Sequence, residues 1–114
     1  MPTISPQHKA IAQYYQELER YRTQGVTHEL ATKTAFQTLL AALADDAGWM
    51  LIPEQRLDNG RRPDGMLRDA TFTRGYWEAK DTRDDLRHEV AKKISAGYPT
   101  TNIIFEDTQR GILY

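Results

Sequence analysis

Thirteen residues separate Asp64 from Glu78, and Lys80 follows two positions after Glu78. Asp64 stands between Pro63 and Gly65, a tripeptide that turns the backbone sharply. Residues two apart on a strand face the same side, so Glu78 and Lys80 project together while Trp77 and Ala79 point away. If Met66-Leu67 pairs with residues 75–80, the hairpin brings Asp64 beside Glu78. Two carboxylates converging there repel each other unless a cation lies between them. Magnesium suits the position: it is a hard ion, usually held by one or two carboxylates with waters and a substrate phosphate. There it can act as a Lewis acid and lower the pKa of a bound water. Lys80 can hold or help deprotonate that water and offset charge building on the phosphate. Lysine suits the role because its pKa moves on desolvation, as arginine's does not. Each motif also has a plainer reading, Pro-Asp-Gly as a β-turn and Glu78/Lys80 as a surface ion pair worth little.

Glu29 is the third acid. It lies seven residues before Phe36, which returns it to nearly the same helix face as the stripe Phe36, Leu39, Leu40 and Leu43. A carboxylate so phased points toward the sheet end where Asp64 and Glu78 would meet; the competing reading pairs it with Lys33 on a solvated face. Basic residues crowd the same region: Arg56, Arg61, Arg62, Arg68 and Arg74 around the hairpin, and Lys92-Lys93 further on. Arg61 and Arg62 lie just before Asp64, so at least one of them could contact a phosphate next to the reacting one. Alternatively these are solubilising charges balanced by Asp58, Asp69 and Asp85. The spacing of His8, His28 and His88 suits neither zinc nor a catalytic dyad.

The elements that must hold these residues can be read in order. Ser5-Pro6 starts a helix, with Ser5 as cap, and Ile11, Tyr14, Tyr15, Leu18 and Tyr21 follow at helical spacing until Gly25. Thr27 caps a second helix running to about Ala47, stopped by Gly48. Trp49-Met50-Leu51-Ile52 reads as a buried strand closed by Pro53, and Asp58-Asn59-Gly60 as a turn. The hairpin follows, with its turn near residues 68–71. Asp84 or Asp85 opens a third helix bearing Leu86, Val90 and Ile94, which Gly97-Tyr98-Pro99 ends. Residues 102–105 and 111–114 are the last two strands. The order α-α-β-β-β-α-β-β predicts an α/β fold, a mixed central β-sheet flanked by α-helices.

Composition bounds the rest. A chain of 114 residues is one domain's worth. A net charge of −1 argues against a protein that coats nucleic acid, which needs a large positive excess, but not against an enzyme acting on it. The absence of cysteine excludes disulfides, zinc–thiolate sites and thiol nucleophiles. No apolar run reaches membrane-spanning length and no signal peptide opens the chain, so no membrane partner and a cytoplasmic location are expected. The apolar ending Gly111-Ile112-Leu113-Tyr114 suggests a domain cut from a longer polypeptide.

The succession of a helix glutamate, Pro-Asp and Glu-x-Lys resembles the PD-(D/E)XK nuclease superfamily. Three stretches, THELATKTAFQTLLAAL, GRRPDGMLRDATFTRGYWEAKDTRDDL and KKISAGYPTTNIIFED, resemble more narrowly the N-terminal Mrr-like nuclease domain of Type ISP restriction–modification enzymes. The resemblance covers residues 26–114 as a nuclease core of the αβββαβ kind, with residues 1–25 as an N-terminal helical addition. It implies an endonuclease domain that cleaves double-stranded DNA using Mg²⁺, with Mn²⁺ as a substitute. Asp64 and Glu78 would be the metal ligands, joined by the backbone carbonyl of Ala79; Lys80 would be the catalytic lysine; Glu29 would complete the acidic cluster, through water. Such domains often carry a glutamine on the helix after the lysine strand. None lies between Asp84 and Gly97, and Lys93 is the candidate for its place. In the resembling enzymes, ATPase/helicase, methyltransferase and target-recognition domains of the same polypeptide choose the target, so no sequence specificity is expected of this domain itself. Two rivals stand beside this reading: an inactive nucleic-acid-binding or interaction module that keeps the fold, and a purely structural α/β domain. The intact Asp64, Glu78 and Lys80 weigh against the first, and the second would need Glu29, Asp64 and Glu78 to be phased inward by coincidence.

Overall fold

A computed structural model describes residues 7–26, 29–80, 85–99 and 101–113, with Glu29 described by its backbone alone. Its elements are α1 (Lys9–Thr23), α2 (Glu29–Asp46), β1 (Met50–Pro53), β2 (Gly65–Arg68), β3 (Thr73–Ala79), α3 (Leu86–Ser95), β4 (Ile103–Glu106) and β5 (Gly111–Leu113). The five strands form one sheet in the order β1-β2-β3-β4-β5. The pairings β1/β2, β2/β3 and β4/β5 are antiparallel. Only β3 and β4 run parallel, because α3 carries the chain from one to the other. The fold is therefore α/β with a mixed sheet and helices on both faces.

Strand alternation decides what each face meets. Trp77, fully buried, faces α2, where the Phe36 ring lies 5.5 Å from its own. Tyr14 of α1 packs edge-on against Phe36 at 5.8 Å, so α1 reaches the sheet through α2. On the other face Leu86 and Val90 of α3 bury Ile103 and Phe105 of β4. Burying side chains of this size stabilises the fold by roughly 1.5–3 kcal/mol each.

Several boundaries and one strand differ from the sequence expectations. The proposed caps Ser5 and Thr27 lie outside the described residues. α1 begins at Lys9 and is capped by the His8 ring, which accepts from the Ala10 N–H at 3.0 Å. Tyr15, placed on the apolar stripe, is 65% exposed, because no other element among the described residues covers that flank of a helix already seated on α2. β1 is not a buried strand: it is a sheet edge, and Met50 is exposed. The third helix agrees with expectation: it is capped by Asp85, whose carboxylate accepts from the Arg87 and His88 N–H groups.

β3 and β4 approach closely at Gly75. A Cβ there would stand 2.8 Å from the Asn102 carbonyl oxygen, which already accepts the Tyr76 N–H at 2.8 Å. Both neighbours are backbone and cannot move aside. Gly75→Ala is expected to cost about 1–3 kcal/mol, read as a lower urea midpoint; an unchanged midpoint would mean the strands are less close than this.

Candidate active site

The site lies at the C-terminal end of β3, where α2, the residue preceding β2, and α3 converge. Asp64 and Glu78 are cross-tied through backbone: the Asp64 N–H donates to Glu78 Oε1 at 3.1 Å, and the Ala79 N–H donates to Asp64 Oδ2 at 2.8 Å. The tie follows from register, since β2 pairs Gly65 with Trp77, leaving Asp64 level with Glu78. The Asp64 carbonyl in turn accepts the Glu54 N–H at 3.0 Å, and the Lys80 N–H donates to the Glu106 carbonyl at 2.8 Å. The strand ends are thus held on both sides.

Three lysines close on this pair, from α2, from α3 and from the position just after β3. Lys33 of α2 reaches Asp64 Oδ1 at 2.5 Å. Lys93 of α3 and Lys80 approach Glu78 Oε2 at 3.2 and 3.6 Å. Lys80 is also 3.7 Å from Glu89 of α3. Lys92 stands 3.8 Å from Glu89, so three carboxylates (Asp64, Glu78, Glu89) meet four ammonium groups. Glu78 is 4% exposed. Burial, then the charge of Asp64, pushes its carboxyl above the usual range, against the pull of Lys93 and Lys80. Burial alone would lower Lys33 and Lys93, but their contacts with Asp64 and Glu78 outweigh it and raise both.

The structure thus brings together Asp64, Glu78, Ala79, Lys80 and Lys93. The Glu29 side chain lies outside the described residues. The competing Glu29–Lys33 reading gave Lys33 a solvated face; Lys33 instead reaches Asp64 at the end of the sheet. Sequence reasoning missed Lys33 and Glu89 as members of the cluster. Glu89 could have been found, since it lies four residues before Lys93 and so on the same side of α3. The Ala79 N–H, not its carbonyl, makes the observed contact with Asp64. Arg61 and Arg62 do not touch the pair; they line a cleft between the β1–β2 connection and α3. Of the suggested counter-charges, Asp69 does balance one hairpin arginine, Arg74, while Asp85 is engaged at the cap of α3.

Among the described residues no three Asp, Glu, His or Cys side chains gather closely enough to hold a metal by themselves. Asp64 and Glu78 supply two hard carboxylates, the protein share that magnesium commonly takes. Both would give up lysine contacts to accept a cation. The donor set fits magnesium with a water-rich shell and does not fit an all-protein cage.

No family model matches the chain, and no curated protein matches it. A solved structure does: a chain of the DrdV–DNA complex, determined by cryo-electron microscopy, is 40% identical with a TM-score of 0.83. The match takes in 92% of this chain and 11% of that one. This chain therefore spans about a tenth of the length of its relative. No helix among the described residues is long and apolar enough to cross a membrane.

Proposed function

We propose that this chain is a PD-(D/E)XK-type endonuclease domain that hydrolyses phosphodiester bonds of double-stranded DNA with Mg²⁺, Mn²⁺ substituting. In this reading it is the Mrr-like cleavage module of a restriction–modification enzyme whose other domains select the target. The observation that carries it is the cross-tied Asp64/Glu78 pair with Lys80 beside it. The likeness to a chain seen in a DNA complex supports DNA as the substrate.

Asp64 and Glu78 would hold the cation, which when bound supplies Lewis acidity and lowers the pKa of water. Glu29, from the start of α2, would add a further carboxylate through water. Lys80 lies between Glu78 and Glu89, whose carboxylates hold its ammonium at the site. There it positions the attacking water and offsets charge on the phosphate, a stabilisation that needs no rearrangement during reaction. Arg61, Arg62 and Lys93 would contact the flanking backbone, which positions the duplex without reading its sequence.

Plasmid DNA incubated with the protein and Mg²⁺ or Mn²⁺ should be nicked and then linearised. Chelator should stop the reaction, and Asp64→Ala should slow it by at least about a hundredfold. Equal cleavage by wild type and Asp64→Ala would remove the assigned site.

A further inference from the structure

Beside the carboxylate pair lies a cleft of about 360 Å³ between the β1–β2 connection and α3. Of its eight lining residues five are cations, Arg56, Arg61, Arg62, Lys92 and Lys93, and none is an acid. Elsewhere four arginines are paired, Arg20 with Glu17, Arg22 with Glu19, Arg74 with Asp69 and Arg110 with Asp107, while Arg68 and Arg87 stand singly on the surface. Among the described residues Arg56, Arg61 and Arg62 have no carboxylate partner, and Lys92 has only Glu89, 3.8 Å away outside the lining. Three uncompensated guanidinium groups around one concavity repel one another, and an anion seated there would relieve that repulsion.

The cleft is also built rather than incidental. Asn59 donates to the Gly97 carbonyl at 2.7 Å and pins the connection to the end of α3. Asn59 Oδ1 accepts the Arg61 N–H at 3.0 Å, Leu57 donates to the Arg61 carbonyl at 2.7 Å, and Arg56 donates to the Gly60 carbonyl at 3.1 Å. Gly97, at φ +101°, lets the helix end turn against this connection. Lys93 joins the two sites. Its ammonium is 3.2 Å from Glu78 Oε2 on one side and 3.4 Å from the Tyr98 hydroxyl on the other, over the Tyr98 ring at 4.7 Å.

We propose that this cleft is a preformed seat for backbone phosphate of duplex DNA flanking the reacting position, with Arg56, Lys92 and Tyr98 as binding residues besides Arg61, Arg62 and Lys93. The inference rests on the nuclease reading for its ligand but not on a metal. Guanidinium forks match phosphate oxygens in pairs, and the seat continues directly to Glu78 through Lys93. Binding at the seat is therefore metal-independent and indifferent to sequence.

The test is fluorescence anisotropy of a labelled duplex with chelator present. The wild type should bind, and an Arg56→Ala/Arg61→Ala double variant should bind about tenfold more weakly, with a salt slope shallower by about two. Lys92→Ala should flatten the slope by about one. An Arg20→Ala/Arg22→Ala double variant, equal in charge but taken from α1, should bind as wild type. Wild-type-like binding by the first variant, or no duplex binding by the wild type, overturns the seat. Calorimetry with inorganic phosphate separates the other source of the same chemistry: binding as tight as that of duplex would overturn the backbone assignment. The two readings fail separately. A protein that binds duplex through these residues yet leaves plasmid intact with Mg²⁺ loses the nuclease reading and keeps the seat. One that cleaves plasmid while the Arg56→Ala/Arg61→Ala variant binds normally loses the seat alone.

Discussion

Glu78→Gln is expected to slow Mg²⁺-dependent cleavage by about a hundred- to ten-thousandfold and, in the same protein without metal, to raise stability at pH 7. The two signs have one cause. Glu78 is almost fully buried beside Asp64, and its carboxyl is raised because burial and that neighbouring charge outweigh Lys93 and Lys80. A folded state that raises a carboxyl pKa is destabilised when the group ionises, and above the raised value that loss is complete. Glutamine has the shape of the protonated acid and escapes the loss. It also cannot serve as an anionic ligand, so the proposed cation site would lose half of its described carboxylate pair. Plasmid cleavage and a urea titration on the same preparation test both signs. Lower activity with lower stability would mean that Glu78 is a structural ion pair that the lysines fully compensate.

Glu106 should give the chain a pH dependence of its own. Its side chain is 4% exposed on the Trp77 face of the sheet. Oε1 accepts the Trp77 indole N–H at 3.2 Å, and Oε2 accepts the Thr108 N–H at 2.8 Å. Burial is the largest influence; those two hydrogen bonds oppose it, Asp107 and Asp64 add to it, and the carboxyl is pushed up to about 7. The unfolded chain releases this proton near 4.5, so between about 4.5 and 7 the folded state binds more protons. Stability should then fall as pH rises through that window and level off above it. The loss is on the order of 3 kcal/mol, at 1.36 kcal/mol for each pH unit between the two values. Glu78, raised in the same direction, adds to the fall. Glu106→Gln keeps one acceptor and leaves the other donor facing an amide N–H₂, which costs about 1–3 kcal/mol at every pH. The variant should therefore compare worst with wild type at pH 4.5 and best at pH 8. Urea midpoints at pH 4.5, 6 and 8 measure this, and parallel curves for the two proteins would refute it.

The candidate site could be read to different depths in different residues. Asp64, Glu78 and Lys80 are local to one hairpin, so a period of two and a turn tripeptide suffice to bring them together. The backbone ties that fix Asp64 against Glu78 depend on register and become visible only once Gly65 is seen opposite Trp77. Arg61 and Arg62 could be named as phosphate contacts, but their withdrawal into a separate cleft depends on Asn59 meeting Gly97, 38 residues away. Glu106 carried no signal beyond following an apolar strand. Its buried state depends on Trp77 reaching across from β3.

The sequence by itself determined the order of the elements, the α/β class and the segment that carries the acidic pair. Periodicity, caps and turns act within a few residues, and those features are set at that range. Tertiary structure alone decided that β1 is an edge, that Lys33 turns inward to Asp64, that Lys93 links Glu78 to the basic cleft, and that Glu106 is buried. Each of these depends on which distant element covers a side chain, and burial and charge pairing are properties of that assembled neighbourhood.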